Sequence, residues 1–231
     1  MFLLSVSCCH KSIPNITAFS DHPFSKESGF FIVHELRVPE GDPEAGALIV
    51  SHTGSGAVVR STKNYSDIIT AGHLCHTPKE FSIFDDEFVV FDHQGNYYKS
   101  DLIAISYEID LCILRINYQK PVIPIAKKDP NQGSKVYMAG FPMGVYHPNY
   151  IHFFDGYYSG TDYGGNSIWT FPAAPGSSGG VVVNSYGQIV GVVSAVYSEF
   201  SHLTIGPGVE QVSMFIRESQ ACSIEKICYI D

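Results

Sequence analysis

The sequence predicts an all-β chain of two similar β units, ending in one short helix. Three observations carry that expectation. Short apolar runs recur with turn residues between them. Gly and Pro are plentiful, at 21 and 13 of 231 residues. A connector with three prolines falls near the middle of the chain. Short strands at regular spacing with turn signals belong to barrels and sandwiches.

Taken in order, residues 1–28 are polar and aperiodic and read as an N-terminal arm. The first unit, 29–120, holds strand-like runs at 30–36 (FFIVHEL), 47–52 (ALIVSH), 56–61 (GAVVRS), 66–72 (SDIITAG), 87–92, 97–106 and 110–116. The segment 38–46 has two prolines and two glycines and reads as an exposed loop. After the connector 117–133, the second unit, 121–231, offers strands near 135–141, 151–160, 167–171, 179–185 and 188–197. Only 210–220 has helical spacing, with Val212, Met214, Phe215 and Ile216 as its apolar positions.

Composition excludes several function classes. Hydrophobic residues make up 45% and charged ones 16%, so the chain is expected to fold around a sizeable core. The formal charge is −9, which repels nucleic acid and anionic membrane, and no basic run offsets it. No apolar run approaches the length of a membrane span. The start MFLLSVSCCH is too short and lacks the basic flank of a secretory signal, so the cytoplasm is expected ahead of secretion. Six cysteines lie at 8, 9, 75, 112, 222 and 228 without a CxxC pair. Buried free thiols are the expected state. The alternative is a bridge between Cys75 and Cys112, each two residues past a candidate catalytic residue.

The strongest motif is APGSSGGVVV at 174–183. A G-x-S-G-G string arises by chance in about one chain in 200 at average Gly and Ser usage. Glycines beside Ser178 let the backbone turn sharply and aim the amides of Gly176 and Ser178 at one point. Two such amides can hold the oxyanion of a tetrahedral intermediate. A Gly-Ser hairpin turn is the plain alternative. A serine nucleophile needs a base, and the base needs a carboxylate to hold its tautomer. His73 in SDIITAGHLC and Asp110 in EIDLCILRI, each at the end of an apolar strand, supply them in the order His, Asp, Ser.

Together, GSGAVV (54–59), ITAGH (69–73), DLCIL (110–114), PGSSGG (175–180) and QIVGVVSA (188–195) resemble the trypsin-like serine peptidases of the chymotrypsin fold. The likeness is greatest to the HtrA/Deg-like branch, and no PDZ domain is expected. It implies two antiparallel Greek-key barrels, with His73 and Asp110 on the first and Ser178 on the second. It implies a polypeptide substrate and no cofactor or metal. By the same resemblance Ser194 lies near Asp110 on the strand that pairs with substrate. The pocket is expected between 170–175 and 194–196, with its rim near 206–208. Phe171, Pro172, Ser194, Ala195 and Val196 are its candidate lining, and small or medium apolar residues are the expected substrates. Two departures stand out: Ser177 replaces the Asp that precedes the nucleophile in zymogen-type relatives, and no Ile-Val-Gly-Gly start is present. Oligomeric state is not legible.

Rival readings are weaker. The string also satisfies G-x-S-x-G, but an α/β-hydrolase needs its acid and its histidine after the serine. Only His202 follows Ser178. A metal site from His73, Cys75 and His76 lacks a second ligand pair. A catalytically silent two-barrel module that binds peptides is the alternative from another class. His22, His34, His52, His93, His147 and His152 are expected on surface loops and pocket walls, and the sequons at Asn15 and Asn64 matter only if the chain is secreted.

Overall fold

Alternation of apolar side chains builds the first barrel. Phe30 and Ile32 on β1 (Gly29–Pro39), Val58 on β2 (Ala47–Ser61) and Ile68 on β3 (Ser66–Ala71) face one core. Phe88 and Val90 on β4 (Asp85–Asp92), Ile105 on β5 (Tyr97–Ser106) and Leu114 on β6 (Leu111–Ile116) join them. The strands run in the order β5-β4-β1-β2-β3-β6, and a β5–β6 pairing closes the ring. The runs 47–52 and 56–61 are one strand. Thr53, Gly54 and Ser55 between them pair with Val33, Ile32 and Phe31, so the ladder continues where a turn is expected. The computed structural model describes residues 23–39, 47–76, 85–197 and 199–231, so most of the N-terminal arm and most of the 38–46 loop lie outside it.

The second unit is a seven-stranded sheet. It holds β7 (Lys135–Gly140), β8 (His152–Thr161), β9 (Asn166–Trp169), β10 (Val181–Asn184), β11 (Ile189–Val192), β12 (Ala195–Tyr197) and β13 (Phe200–Pro207). Their order is β11-β10-β7-β8-β9-β13-β12. A bridge between Gly191 and Gly208 draws its ends together. Its own core holds Met138, Tyr158, Trp169, Phe171, Val182 and Val190. The run 188–197 breaks at Val193-Ser194 into β11 and β12, and β13 was not expected.

A third cluster joins the units. Ala57, Val59, Ile69, Ile103 and Ile113 on the outer face of the first barrel meet Val181, Val183 and Val192 of the second. Phe215 and Val212 of α1 (Val209–Glu218) pack there too. Each fully buried Ile or Phe contributes about 1.5–3 kcal/mol. The helix begins where Gly208 N–H bonds the Gln211 side chain and Asp129 accepts from Val209 N–H. Past it, the chain returns to the first barrel, where β14 (Cys228–Tyr229) pairs in parallel with β5.

The expected free thiols are corrected here. Cys75 bridges Cys112, and Cys222 bridges Cys228. The β3–β6 ladder sets Thr70 opposite Cys112, so the turn after β3 delivers Cys75 to it. Two histidines are also corrected. His34 is fully buried, stacked on Phe88, and His93 is buried as well. The strand that carries His34 turns it inward against Phe88.

Candidate active site

Strand β3 is buried along its whole length, and the turn Gly72–Cys75 that follows brings His73 to the surface. Gly72 is required there. A Cβ would lie 2.8 Å from the Ser106 carbonyl and 2.9 Å from Leu111 N, both part of the turn that carries Asp110. Asp110 sits at φ 54°, a left-handed conformation that Asp tolerates better than most residues. That conformation points its carboxylate back at His73. Asp110 Oδ1 accepts the His73 backbone N–H at 2.7 Å, and Oδ2 lies 2.9 Å from His73 Nδ1. The Ser194 hydroxyl donates to the same Oδ2.

Burial alone pushes the Asp110 carboxyl up, but hydrogen bonds from His73 and Ser194 outweigh it and hold the group below the ordinary carboxylate range. An ionised carboxylate only accepts, so the proton on Nδ1 belongs to His73 and Nε2 is left with its lone pair. Behind this pair, His34 Nδ1 lies 2.8 Å from the carbonyl of Leu74. Nearby His52 is held below the ordinary imidazole range, first by burial and then by the histidines at 34, 73 and 76.

Ser178 comes from the second unit. Its turn is pressed against the first barrel, since a Cβ on Gly179 would strike the Ser55 carbonyl and the Thr70 hydroxyl. Ser55 N–H donates to the Ser178 carbonyl at 2.8 Å. The Ser178 hydroxyl donates to the Ser194 carbonyl at 3.4 Å, and no hydrogen bond joins it to His73. Within 176–180, the amides of Ser177, Gly179 and Gly180 are taken by Ala174, Val193 and Ser177 carbonyls. Those of Gly176 and Ser178 have no acceptor among the described residues. Gly176 has φ 91°, and a Cβ there would lie 2.5 Å from the Phe141 carbonyl, so only glycine fits.

Beside Ser178 is a cavity of about 270 Å³ lined by Ala173, Ala174, Pro175, Val193, Ser194, Ala195 and Val196. No charged side chain lines it. Two expected wall residues are corrected. Phe171 is fully buried, stacked on Trp169 in the core of the second sheet. Pro172 is half-buried and does not line this cavity either. Phe171 packs inward just past the end of β9, and Ala173–Pro175 form the wall. The stretch 206–208 lies at the helix start and is not part of the lining.

The metal reading from His73, Cys75 and His76 fails because Cys75 is in a disulfide. Among the described residues no group of three or more His, Cys, Asp or Glu is arranged to hold a metal ion. Ser55 and Met143, which bond carbonyls of the 174–180 loop, were not among the residues expected at the site. The GSG string at 54–56 was the available signal for Ser55.

A family model described as "Trypsin-like peptidase domain" matches residues 54–192, more than half of the chain. No curated protein sequence matches it. Among solved structures, the serine endoprotease from Yersinia pestis superposes with a TM-score of 0.63 at 19% identity, covering 81% of this chain. The chain spans 62% of that enzyme's length. The Rv3671c protease from M. tuberculosis, in its active form, superposes with a TM-score of 0.64 at 17% identity. That match covers 86% of this chain and 83% of the other. At such identities the likeness is one of fold.

Proposed function

The chain belongs to the trypsin-like peptidase family of serine endopeptidases, and we propose that it cleaves polypeptides with Ser178 as nucleophile, His73 as base and Asp110 as orienter. Ser178 Oγ attacks the scissile carbonyl while His73 Nε2 takes its proton. Asp110 stays ionised and steadies the imidazolium. The amides of Gly176 and Ser178 hold the developing oxyanion. The imidazolium then protonates the leaving amine, and water, activated by His73, releases the acyl group.

One observation supports this reading most. The two amides beside Ser178 that catalysis needs free are those without an acceptor, while the amides around them are bonded. The apolar cavity next to Ser178 suits a small or medium apolar residue before the scissile bond, and nothing in it pairs with Lys or Arg.

The second reading, a silent peptide-binding module, draws on the Ser178 hydroxyl bonding Ser194 rather than His73. Apo catalytic hydrogen bonds are often long and tighten only with substrate. A fluorophosphonate probe decides between the two readings. It should label Ser178 alone, and Ser178→Ala should lower kcat by a factor on the order of 10⁶. An unlabelled, folded protein with no peptidase activity favours the silent module. A peptide-library profile led by Val, Ala or Leu supports the pocket assignment, and one led by Arg or Lys overturns it. The two disulfides also favour an oxidising compartment over the cytoplasm.

A further inference from the structure

The 174–180 loop does not hold its free amides in place by itself. Its carbonyls are held from outside. Pro175 accepts from Met143 N–H at 2.5 Å, Gly176 from the Ser55 hydroxyl at 2.8 Å, and Ser178 from Ser55 N–H at 2.8 Å. Within the loop the Ala174 and Ser177 carbonyls are bonded, by Ser177 N–H and Gly180 N–H. In a planar trans peptide the C=O and N–H point opposite ways. Fixing the Pro175 carbonyl on Met143 therefore turns the Gly176 N–H away from it, out of reach of an internal acceptor.

Ser55 stands at the centre of this arrangement. It is 1% exposed, on β2 of the first barrel, and every polar group it has is used. Its hydroxyl donates to the Gly176 carbonyl and accepts the Phe141 N–H at 3.0 Å. Its carbonyl accepts from the Thr70 hydroxyl at 2.8 Å, three residues before His73. Phe141 opens the turn Pro142–Gly144, which carries Met143. One residue thus ties the loop and the turn that latches it through its hydroxyl, and the strand leading to His73 through its backbone carbonyl.

We infer that Ser55 is a positioning residue for the oxyanion amides, holding the neighbouring Gly176–Ser177 peptide through its hydroxyl and the Pro175–Gly176 peptide, which carries the Gly176 N–H, through Phe141 and the Met143 latch. The inference rests on the peptidase reading above. Gly176 at φ 91° has no side chain to oppose rotation of its peptides, so glycine permits the arrangement without enforcing it. Without the hydroxyl, the Gly176 carbonyl and the Phe141 N–H are both left unpaired in a buried place. The Gly176–Ser177 peptide relieves this by turning, the Phe141–Met143 turn loosens, and the Pro175–Gly176 peptide carries the Gly176 N–H out of the oxyanion site. The Met143 arm is conditional too, because Met143 holds φ 59° with a side chain that is 71% exposed.

The test measures kcat and KM per titrated active site, together with the crystal structure of Ser55→Ala. Losing one oxyanion donor outright costs on the order of 100- to 1000-fold, so partial misalignment in Ser55→Ala should lower kcat about 10- to 100-fold. KM should stay within about twofold, because the ground-state carbonyl gains little from the site. Met143→Ile places a β-branched residue at positive φ without touching the core, and should lower kcat by a smaller factor of about 3 to 10. Unchanged kcat in Ser55→Ala, or a loss carried by KM alone, overturns the inference. If Ser55→Ala does not fold, unchanged kcat in Met143→Ile overturns it. An inactive parent whose Gly176 amide turns away in Ser55→Ala keeps the positioning role and overturns the peptidase reading. An inactive parent whose loop stays in place overturns both.

Discussion

The two halves of the site are built on opposite principles. In the first barrel a closed ring of six strands carries ionisable side chains, and it buries charge elsewhere as well. Asp67, fully buried, is paired by Arg60 and Arg115, and Arg115 also lies over the Tyr65 ring. Asp92 is held far below the ordinary carboxylate range. Burial opposes that shift, but hydrogen bonds from Lys120 and Asn96 outweigh it. The second half is an open sheet whose contribution is mostly backbone: glycines at 176, 179 and 180, and amides left free. Side-chain chemistry is placed by strand ladders, whereas backbone chemistry is placed by whatever grips the loop. Here the grip comes from the first barrel through Ser55, so the halves are not independent.

The sharpest way to break that comparison is at Asp110, the charged end of the site. Asp110→Asn should leave the fold intact and cost about 10⁴ in turnover by favouring the wrong His73 tautomer. The same carboxylate should show in stability. Its folded pKa is depressed, so its contribution is present above the unfolded value near 4 and is lost as pH falls through the lower folded value. Thermal melts of parent and Asp110→Asn should therefore differ at pH 7 and converge below about pH 4. A difference that persists unchanged at pH 2 would mean that the carboxylate does not carry it.

Much of the first half was legible in the sequence because its signals are local. An apolar strand ending in a small-residue turn and a histidine, and an aspartate at the mouth of another strand, each declare themselves within a few residues. The G-x-S-G-G string did the same for Ser178. The parts that were missed depend on tertiary context. Strand β14 is two residues long and exists only because β5 offers an edge. Phe171 reads as a pocket wall because its neighbours are, yet it stacks on Trp169 in the core. The Cys75–Cys112 bridge was open because sequence spacing does not fix distance. Ser55 sits in the GSG string with no local sign of its role, since its partners lie 86 and 121 residues away.

The disulfides sharpen the contrast at a smaller scale. Cys75 and Cys112 are 37 residues apart, and closing a loop of that length stabilises by about 4 kcal/mol in the chain-entropy account. Cys222 and Cys228 are six residues apart, for about 2 kcal/mol. Cys75→Ala with Cys112→Ala should lower Tm by roughly 8–16 °C, and the other pair by about half as much. The kcat of the folded first variant should stay within about tenfold of the parent, because the β3–β6 ladder and the direct His73–Asp110 bonds still set the register. A collapse of kcat with little change in Tm would instead make the bridge the main holder of that pair.

The smallest expected effect is at the amino terminus, and it tests whether the loop needs any anchor beyond those described. In zymogen-type relatives a freed terminus inserts and pairs with an Asp just before the nucleophile, and the ion pair orders the oxyanion loop. Ser177 occupies that position, 1% exposed and without charge. Its hydroxyl accepts the Ala174 N–H at 3.2 Å, and its own N–H donates to the Ala174 carbonyl at 2.9 Å. The turn is thus closed on itself, and Ser55 and Met143 hold it from outside. An inserted ammonium would find no carboxylate there, and burying a charge unpaired is strongly unfavourable. Protein expressed with a blocked, tagged N-terminus should therefore show the same kcat before and after the tag is removed to free the amine. Activity that appears only after trimming would show that the grip of Ser55 and Met143 on the loop is not sufficient.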